Sequence, residues 1–501
     1  MATLKTNILA NLLGSVWVAV LTIIITPLQV RLLGIEAYGL VGLIAVLQVV
    51  LGTCDLGLSA TLTQRVAADS DKDSDASRTL VNSASTLYWG LAVVLAVLLC
   101  LNADWIAIHW LKPSALDPAT VTLSLRIIAF YLALRWPVAF YTGLISGLQR
   151  LDILNLIKSG VVSLRLLGGV LVLLVLPNLI AFLLWFAISA LLELMAYAIV
   201  AHRLMPGLSL RPSCSWTALK SVWKFSAAMS LIAVLSMLLT QVDRLMISTF
   251  LSLEALGYYA LAYHTAMALS LLQTALNSAA FPALSGSHGS ERSSELLARY
   301  NKTSQLMGYV IAAPCFALVF FGHDILRWWI SPAAANGASI AMALLALGFF
   351  INAMVSNAYI AAVACGKPGL PLKVNLAGAV LYLPALYGLI QTAGINGAAL
   401  CWLALNLYYL ATLFPLVQRG VLRQAVWPWL RTNLLPFLAA GLLLFGGMKG
   451  LAILSGGWLV WAVLATLVYA GLGYRCLAPE LRAHLRALFG QLRSYVPGVV
   501  R

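Results

Sequence analysis

The sequence predicts an all-α, polytopic membrane protein with about fourteen transmembrane helices, and three observations predict it. The first is composition: 62% of the 501 residues are hydrophobic and 9% are charged, against about 45–50% and about 25% in ordinary soluble domains. The second is the recurrence, from one end of the chain to the other, of apolar runs of about 20 residues, the length that crosses a bilayer. The third is the placement of charge. With the N-terminus inside, 23 of the 31 Lys and Arg residues fall in inner loops or the tail, four in outer loops and four within spans. Basic residues collect in cytoplasmic loops, so both termini are expected in the cytoplasm. The net charge of +15 then reflects topology rather than a polyanionic partner. Most soluble enzymes and nucleic-acid binders are excluded, and no nucleic-acid partner is expected.

Taken in order, the apolar runs place spans near residues 8–28, 38–62, 80–102, 119–146, 155–176, 179–201, 225–250, 256–282, 302–321, 338–364, 373–391, 395–417, 433–449 and 457–477. The first run follows Lys5 and is too long, without a cleavage site, for a signal peptide; it is read as a span. The last two are short and Gly-rich, which leaves twelve spans as an alternative. The seven cysteines lie mostly within apolar runs and show neither a disulfide framework nor a CxxC metal pair. No Walker A, HExxH or GxSxG pattern occurs, and every outer loop is short. Neither a cofactor nor a metal site is expected.

An internal repeat organises the chain. The segment from Leu33 to Leu43 (LGIEAYGLVGL) aligns without gaps with that from Leu251 to Leu261 (LSLEALGYYAL) at an offset of 218 residues. Each lies at the outer turn between the first two helices of a six-helix set. A second echo relates Gly147-Leu-Gln-Arg150 with Asn155 to Gly366-Lys367 with Asn375. Six spans separate the copies, so both halves enter the membrane in the same direction, related by a pseudo-two-fold axis along the membrane normal. Parallel repeats of this kind build transporters with a site between the halves. The expected domains are an N-terminal six-helix bundle (1–205), a C-terminal six-helix bundle (206–420), two additional transmembrane helices (421–477) and a cytoplasmic amphipathic tail (478–501).

Ionisable groups near mid-bilayer cost at least about 2.5–3.5 kcal/mol to insert, so they face a cavity or a partner. Arg135 and Arg165 fall near the middle of the fourth and fifth spans. Asp55 and Glu193 lie toward the inner third of the second and sixth, and Asp243 with Arg244 lies in the outer half of the seventh. Arg126 is close enough to the outer end to snorkel. Arg135 and Arg165 are the candidate cavity residues, the alternative for Arg165 being an ion pair with Glu193 that locks the bundle. Asp55, Glu193, Asp243 and Arg244 are candidates for ion coupling or gating. His264 with its tyrosine neighbours, Asn352 and Asn357 are read as interhelical hydrogen-bonding groups. The loop from Asp69 to Asp75 reads as a solvated inner loop. From Ala478 to Arg493, leucines at helical spacing beside arginines suit a helix lying on anionic membrane lipid.

The turn Arg31-Leu-Leu-Gly-Ile-Glu-Ala-Tyr-Gly39, Asp55-Leu-Gly-Leu58, Gly147-Leu-Gln-Arg150 with Asn155, Gln241-Val-Asp-Arg244 followed by Leu253 to Tyr263, and Gly394-Ile-Asn-Gly-Ala-Ala399 occur in an order that resembles the polysaccharide transporters. The resemblance is to the O-antigen and related lipid-linked oligosaccharide flippases of the multidrug/oligosaccharidyl-lipid/polysaccharide exporter superfamily, and it covers nearly all of the chain. It implies a multi-pass carrier of the bacterial inner membrane that moves an undecaprenyl-diphosphate-linked oligosaccharide to the outer leaflet by alternating access, and it implies no enzyme. The implied cationic lumen is consistent with Arg135 and Arg165 as diphosphate-binding residues, with Arg31 at the outer mouth. Coupling to a proton or sodium, and partnership with the polysaccharide polymerase machinery, are further expectations. The alternatives are a multidrug or metabolite antiporter of the same superfamily, which predicts acidic cavity residues, and a membrane glycan polymerase or ligase. For the latter only Asp104, His109, Asp324 and Arg327 offer themselves.

Overall fold

The computed structural model describes residues 17–18, 21–22, 24–53, 55, 57–68, 75–205, 215–285, 292–483 and 486, and every regular element among them is helical. The start of the first predicted span and residues 69–74 of the acidic loop lie outside the described residues. The helices are α1 (Ile24–Leu33), α2 (Ile35–Thr53), α3 (Leu58–Ala68), α4 (Asp75–Leu101), α5 (Pro118–Gly147), α6 (Leu151–Val175), α7 (Leu179–Leu204) and α8 (Trp216–Phe250). They continue as α9 (Leu253–Ser285), α10 (Arg292–Trp329), α11 (Pro332–Ala364), α12 (Gly369–Ala411), α13 (Leu413–Gly420), α14 (Leu435–Ser455) and α15 (Trp458–Cys476). By length and composition, 11 helical segments of the described residues can cross a membrane, the last two predicted spans among them as Val426–Ser455 and Trp458–Cys476. The chain is a multi-pass membrane protein.

Two predicted spans share the 52-residue segment Gly369–Gly420. Its helix breaks at Gly394, whose φ of 57° and ψ of −135° suit a residue without Cβ. A Cβ on Gly397 would run into the carbonyl of Leu389, so the chain doubles back within a few residues. The second predicted span departs from the continuous helix expected over 38–62: α2 ends at Thr53 and α3 begins at Leu58, with Gly57 at φ 65° in the gap. Breaks of this kind persist at membrane depth where the freed backbone is buried in protein or lines a cavity.

The chain divides into two compact units, Met1–Leu261 and Ala262–Arg501. In the first, the two copies of the sequence repeat lie directly against each other. A Cβ on Gly39 would meet the Leu253 carbonyl oxygen at 2.5 Å, one on Gly42 would meet Ala260 Cβ at 2.7 Å, and one on Gly257 would strike the Ile35 carbonyl. Small residues let helix backbones approach in a membrane, where lipid supplies no hydrophobic drive for association. Replacing Gly257 with Ala is therefore expected to lower stability by about 1–3 kcal/mol through overpacking against backbone, read as earlier thermal unfolding of the purified protein. The repeat's Glu36 has its own task. Its carboxylate, buried in the first turn of α2, accepts the backbone N–H groups of Ser114, Ala115 and Leu116 at 2.5, 2.7 and 2.9 Å, pinning the segment that leads into α5.

In the second unit, interhelical hydrogen bonds account for the asparagines. Asn352 donates to Asn406 Oδ1 at 2.7 Å and accepts from Gln273 at 3.2 Å, and Asn357 donates to Ser304 Oγ at 2.9 Å. Asp324 pairs with Lys449. The described start of the tail folds back on α10: the Ala478 N–H donates to Gln305 Oε1 at 2.9 Å and Lys302 pairs with Glu480 at 2.7 Å. Both acidic candidates for an outer catalytic constellation are thus held in ion pairs, Asp104 with Arg126 at 3.0 Å and Asp324 with Lys449.

Candidate functional site: a charged cavity among helices α2 to α7

Within the first unit a cavity of about 400 Å3 opens among α2, α4, α5, α6 and α7, in the size range of small-ligand sites, roughly 300–1,000 Å3. Its charged wall consists of Asp55, Arg135, Lys158 and Glu193, and aromatic and polar surface comes from Gln48, Tyr88, Trp136 and Tyr197.

Close backbone approaches set these side chains in place. On α5, Gly143 lies so near α3 that a Cβ would meet the Ser59 carbonyl at 2.8 Å, and Thr63 Oγ1 donates to the Gly143 carbonyl at 3.0 Å. On α6, Gly169 admits the ring of Phe182 and Gly168 that of Trp185, whose indole N–H donates to the Arg165 carbonyl at 3.1 Å. Helices α6 and α7 therefore run close enough for Arg165 to reach Glu193. Pro137 lies inside α5, two residues beyond Arg135, and removes the backbone hydrogen bond to the carbonyl of residue 133.

Glu193 is the hub of the site. Its Oε2 accepts from Arg135 Nη1 at 2.8 Å and also from Arg165 Nη2. Arg165 is held further by Nε donating to Ser189 Oγ at 2.9 Å and by its guanidinium standing 5.6 Å from the centroid of the Tyr131 ring. Gln48 in turn fixes the Tyr131 hydroxyl at 2.6 Å. The two arginines differ in access: the Arg165 side chain is 9% exposed and that of Arg135 26%. Arg135 lies on the cavity wall, and Arg165 is not among the lining residues. A carboxylate shared by two guanidiniums leaves one net positive charge, so the cavity is less cationic than its arginines alone suggest.

Asp55 stands in the break before α3. Its Oδ2 accepts the Ser59 N–H at 3.2 Å and the Ser59 hydroxyl at 2.5 Å, and its carbonyl accepts the Leu58 N–H at 3.0 Å. An acidic side chain at a helix N-terminus satisfies orphan donors and meets the positive end of the helix dipole, which explains how a carboxylate persists at this depth. Its other oxygen, Oδ1, is buried and receives no hydrogen bond from the described residues.

The structure thus brings Asp55, Arg135 and Glu193 to one cavity and Arg165 to it through Glu193. It does not bring the remaining candidates there. Arg31 is an exposed residue of α1. Asp243 is buried on α8, accepting from the Tyr259 hydroxyl at 2.5 Å and from the Arg244 N–H at 2.9 Å. Arg126 lines a separate, mostly apolar groove with Phe130, Leu184 and Ile188. Lys158, one of the 23 basic residues counted on the inner side, stands on the cavity wall. Its spacing contained the signal: Lys158 lies seven residues before Arg165, and Tyr197 four after Glu193, separations that share a helix face.

A bundle of membrane-length helices around a charged cavity is a construction that membrane transporters use. The model of the family described as polysaccharide biosynthesis protein matches residues 4–288, more than half of the chain, and the chain belongs to that family. The MatE family model matches residues 228–387. A relative from Shigella flexneri named "Putative O-antigen transporter" is 25% identical over 406 residues, spanning 78% of this chain and 93% of that protein. Among solved structures, the lipid II flippase MurJ in an inward closed conformation superposes with a TM-score of 0.73 at 13% identity, covering 92% of this chain and 98% of that one. An inward-facing multidrug resistance transporter of the MATE family superposes with a TM-score of 0.60 at 14% identity, covering 84% and 96%. These structures share the fold. The chain is thus a multi-pass helical membrane protein of the polysaccharide biosynthesis family.

Proposed function

We propose that the protein is a flippase that moves an undecaprenyl-diphosphate-linked oligosaccharide, the repeat unit of O-antigen or another surface polysaccharide, from the inner to the outer leaflet of the bacterial inner membrane by alternating access. The observation that carries this reading is Arg135, a guanidinium held on the wall of an intramembrane cavity in a chain of the polysaccharide biosynthesis family. Arg suits the task because its fork grips phosphate oxygens bidentately and keeps its charge when buried. Lys158 adds a second cation to the wall, while Tyr88, Trp136 and Tyr197 supply the aromatic surface that sugar rings pack against.

Energetics favour the direction. A diphosphate diester carries about two negative charges, and moving them outward across an inside-negative membrane gains roughly 4–5 kcal/mol per 100 mV when no counter-charge follows. Asp55, with one carboxylate oxygen held by Ser59 and the other free of hydrogen bonds from described residues, is the group proposed to take up a coupling proton or sodium. Delivery of the glycan to the outer leaflet would supply a polymerase working there. The antiporter reading draws on the two acidic residues of the wall, Asp55 and Glu193, and the same experiment separates the two. Purified protein is reconstituted into liposomes containing undecaprenyl-diphosphate-linked oligosaccharide, and lectin access from outside is followed in time. Exchange of lipid-linked sugar between leaflets that depends on the protein supports the flippase. Absence of exchange, with proton-driven uptake of organic cations by the same vesicles, supports the antiporter.

A further inference from the structure

The geometry of the Arg135–Glu193–Arg165 cluster points to a role for Glu193 that neither binding nor bundle stability explains: we infer that it is a built-in competitor for the substrate's diphosphate. The inference rests on the reading of the cavity as a diphosphate site. Both arginines end on the same oxygen, Glu193 Oε2, yet they are not equivalent. Arg165 is buried, tied also to Ser189 and standing over Tyr131, so its position is fixed from three sides. Arg135 is 26% exposed and shares the cavity wall with Glu193 itself. A diphosphate entering the cavity therefore meets Arg135 already engaged by a carboxylate.

The exchange that follows needs no orphaned charge at any stage. When phosphate oxygens take Arg135, Glu193 keeps Arg165 as its partner, and a buried carboxylate that retains a hydrogen-bonded cation avoids the large penalty of burial alone. When the substrate departs, Glu193 recaptures Arg135, so the empty cavity again carries its charges paired. Arg165 is on this account a positioning residue: it holds the Glu193 carboxylate within reach of Arg135 and does not touch substrate. The consequence is a deliberately weakened anion site. A carrier whose two free arginines faced a diphosphate would load well and release slowly, whereas one in which a carboxylate competes for the exposed arginine loads less tightly and turns over.

The test uses the full-length protein in lipid nanodiscs, with inorganic pyrophosphate and farnesyl diphosphate as probes and calorimetric titration as the readout. Glu193→Gln removes the competing charge while keeping the side chain's shape. It is expected to bind both probes about tenfold more tightly than wild type, and in liposomes to exchange lipid-linked oligosaccharide more slowly. Arg135→Gln is expected to weaken binding roughly 30-fold or more, and adding Glu193→Gln to it should restore little. Glu193→Asp, which keeps the charge but withdraws it by one methylene, should tighten binding a few-fold and serves where the Gln variant folds poorly. If binding depends on Arg135 but both Glu193 variants bind no better than wild type, the competitor role is overturned and the diphosphate site stands. If wild type and Arg135→Gln bind the probes alike, the diphosphate reading itself fails.

Discussion

Replacing Arg135 with Gln is expected to abolish outward movement of the lipid-linked oligosaccharide while leaving the protein in the membrane at normal abundance. The reason lies in what the substitution leaves behind. Glu193 retains Arg165, so no buried carboxylate is stranded, and Arg135 is exposed enough to the cavity that an uncharged amide fits in its place. What is lost is the charge-assisted fork facing the cavity. Truncating one member of a desolvated, hydrogen-bonded charge pair costs about 2–5 kcal/mol of binding, equivalent to roughly 30-fold or more in affinity. Complementation of surface-polysaccharide synthesis in a deletion strain, beside immunoblots of membrane fractions, reads both quantities. Full complementation by Arg135→Gln would contradict the site.

Arg165 is expected to fail differently. Arg165→Ala deletes a buried guanidinium that joins α6 to α7 through Ser189 and Glu193 and packs over Tyr131 on α5. It leaves Glu193 dependent on one partly exposed partner. Breaking a buried ion pair from one side costs about 3–5 kcal/mol, so the variant should unfold at lower temperature in detergent and accumulate poorly in membranes. The double variant Arg165→Ala with Glu193→Gln removes the under-compensated carboxylate along with its buried partner and should recover a good part of that loss. Thermal unfolding of the two single variants and the double, analysed as a cycle, isolates the pair's coupling. A single variant as stable as wild type would show that Arg165 does not hold the bundle.

The different fates of these two arginines also show where sequence reading stopped. The helical, membrane-spanning fold was legible because it follows from apolar run length and from the siting of Lys and Arg, both one-dimensional quantities. The intramembrane charges were legible for the same reason: Arg135, Arg165, Asp55 and Glu193 stand out against apolar surroundings. What one chain's hydropathy does not encode is which helices meet. That Glu193 serves both arginines depends on the packing of α5, α6 and α7, in which Gly168 and Gly169 bring α6 close against α7. The break at Asp55 was hidden because Leu56, Gly57 and Leu58 keep the run apolar, although an Asp and a Gly at that depth are the residues a helix restart uses. The partner of Asp243 proved to be Tyr259, sixteen residues away and across a turn. Lys158 lies close to a predicted inner loop, and only its seven-residue spacing from Arg165 points to the inward face.

The repeat illustrates the reverse case, a signal visible in sequence whose purpose shows only in the folded packing. Its small residues, Gly39, Gly42, Gly257 and Ala260, are those through which the two copies touch, and its first acidic residue, Glu36, holds the segment at Ser114 to Leu116. Sequence similarity between the copies thus marks a packing surface rather than the cavity.

The most direct measurement is the leaflet in which lipid-linked oligosaccharide resides when the protein is absent. Intact spheroplasts of a deletion strain are labelled with a membrane-impermeant sugar probe, then permeabilised and labelled again. Complete lipid-linked units that become reactive only after permeabilisation, and regain outward exposure when the wild-type protein but not Arg135→Gln is supplied, are the predicted result. Lipid-linked units exposed outward in the deletion strain as in wild type, with polysaccharide assembly nonetheless blocked, would contradict the flippase account.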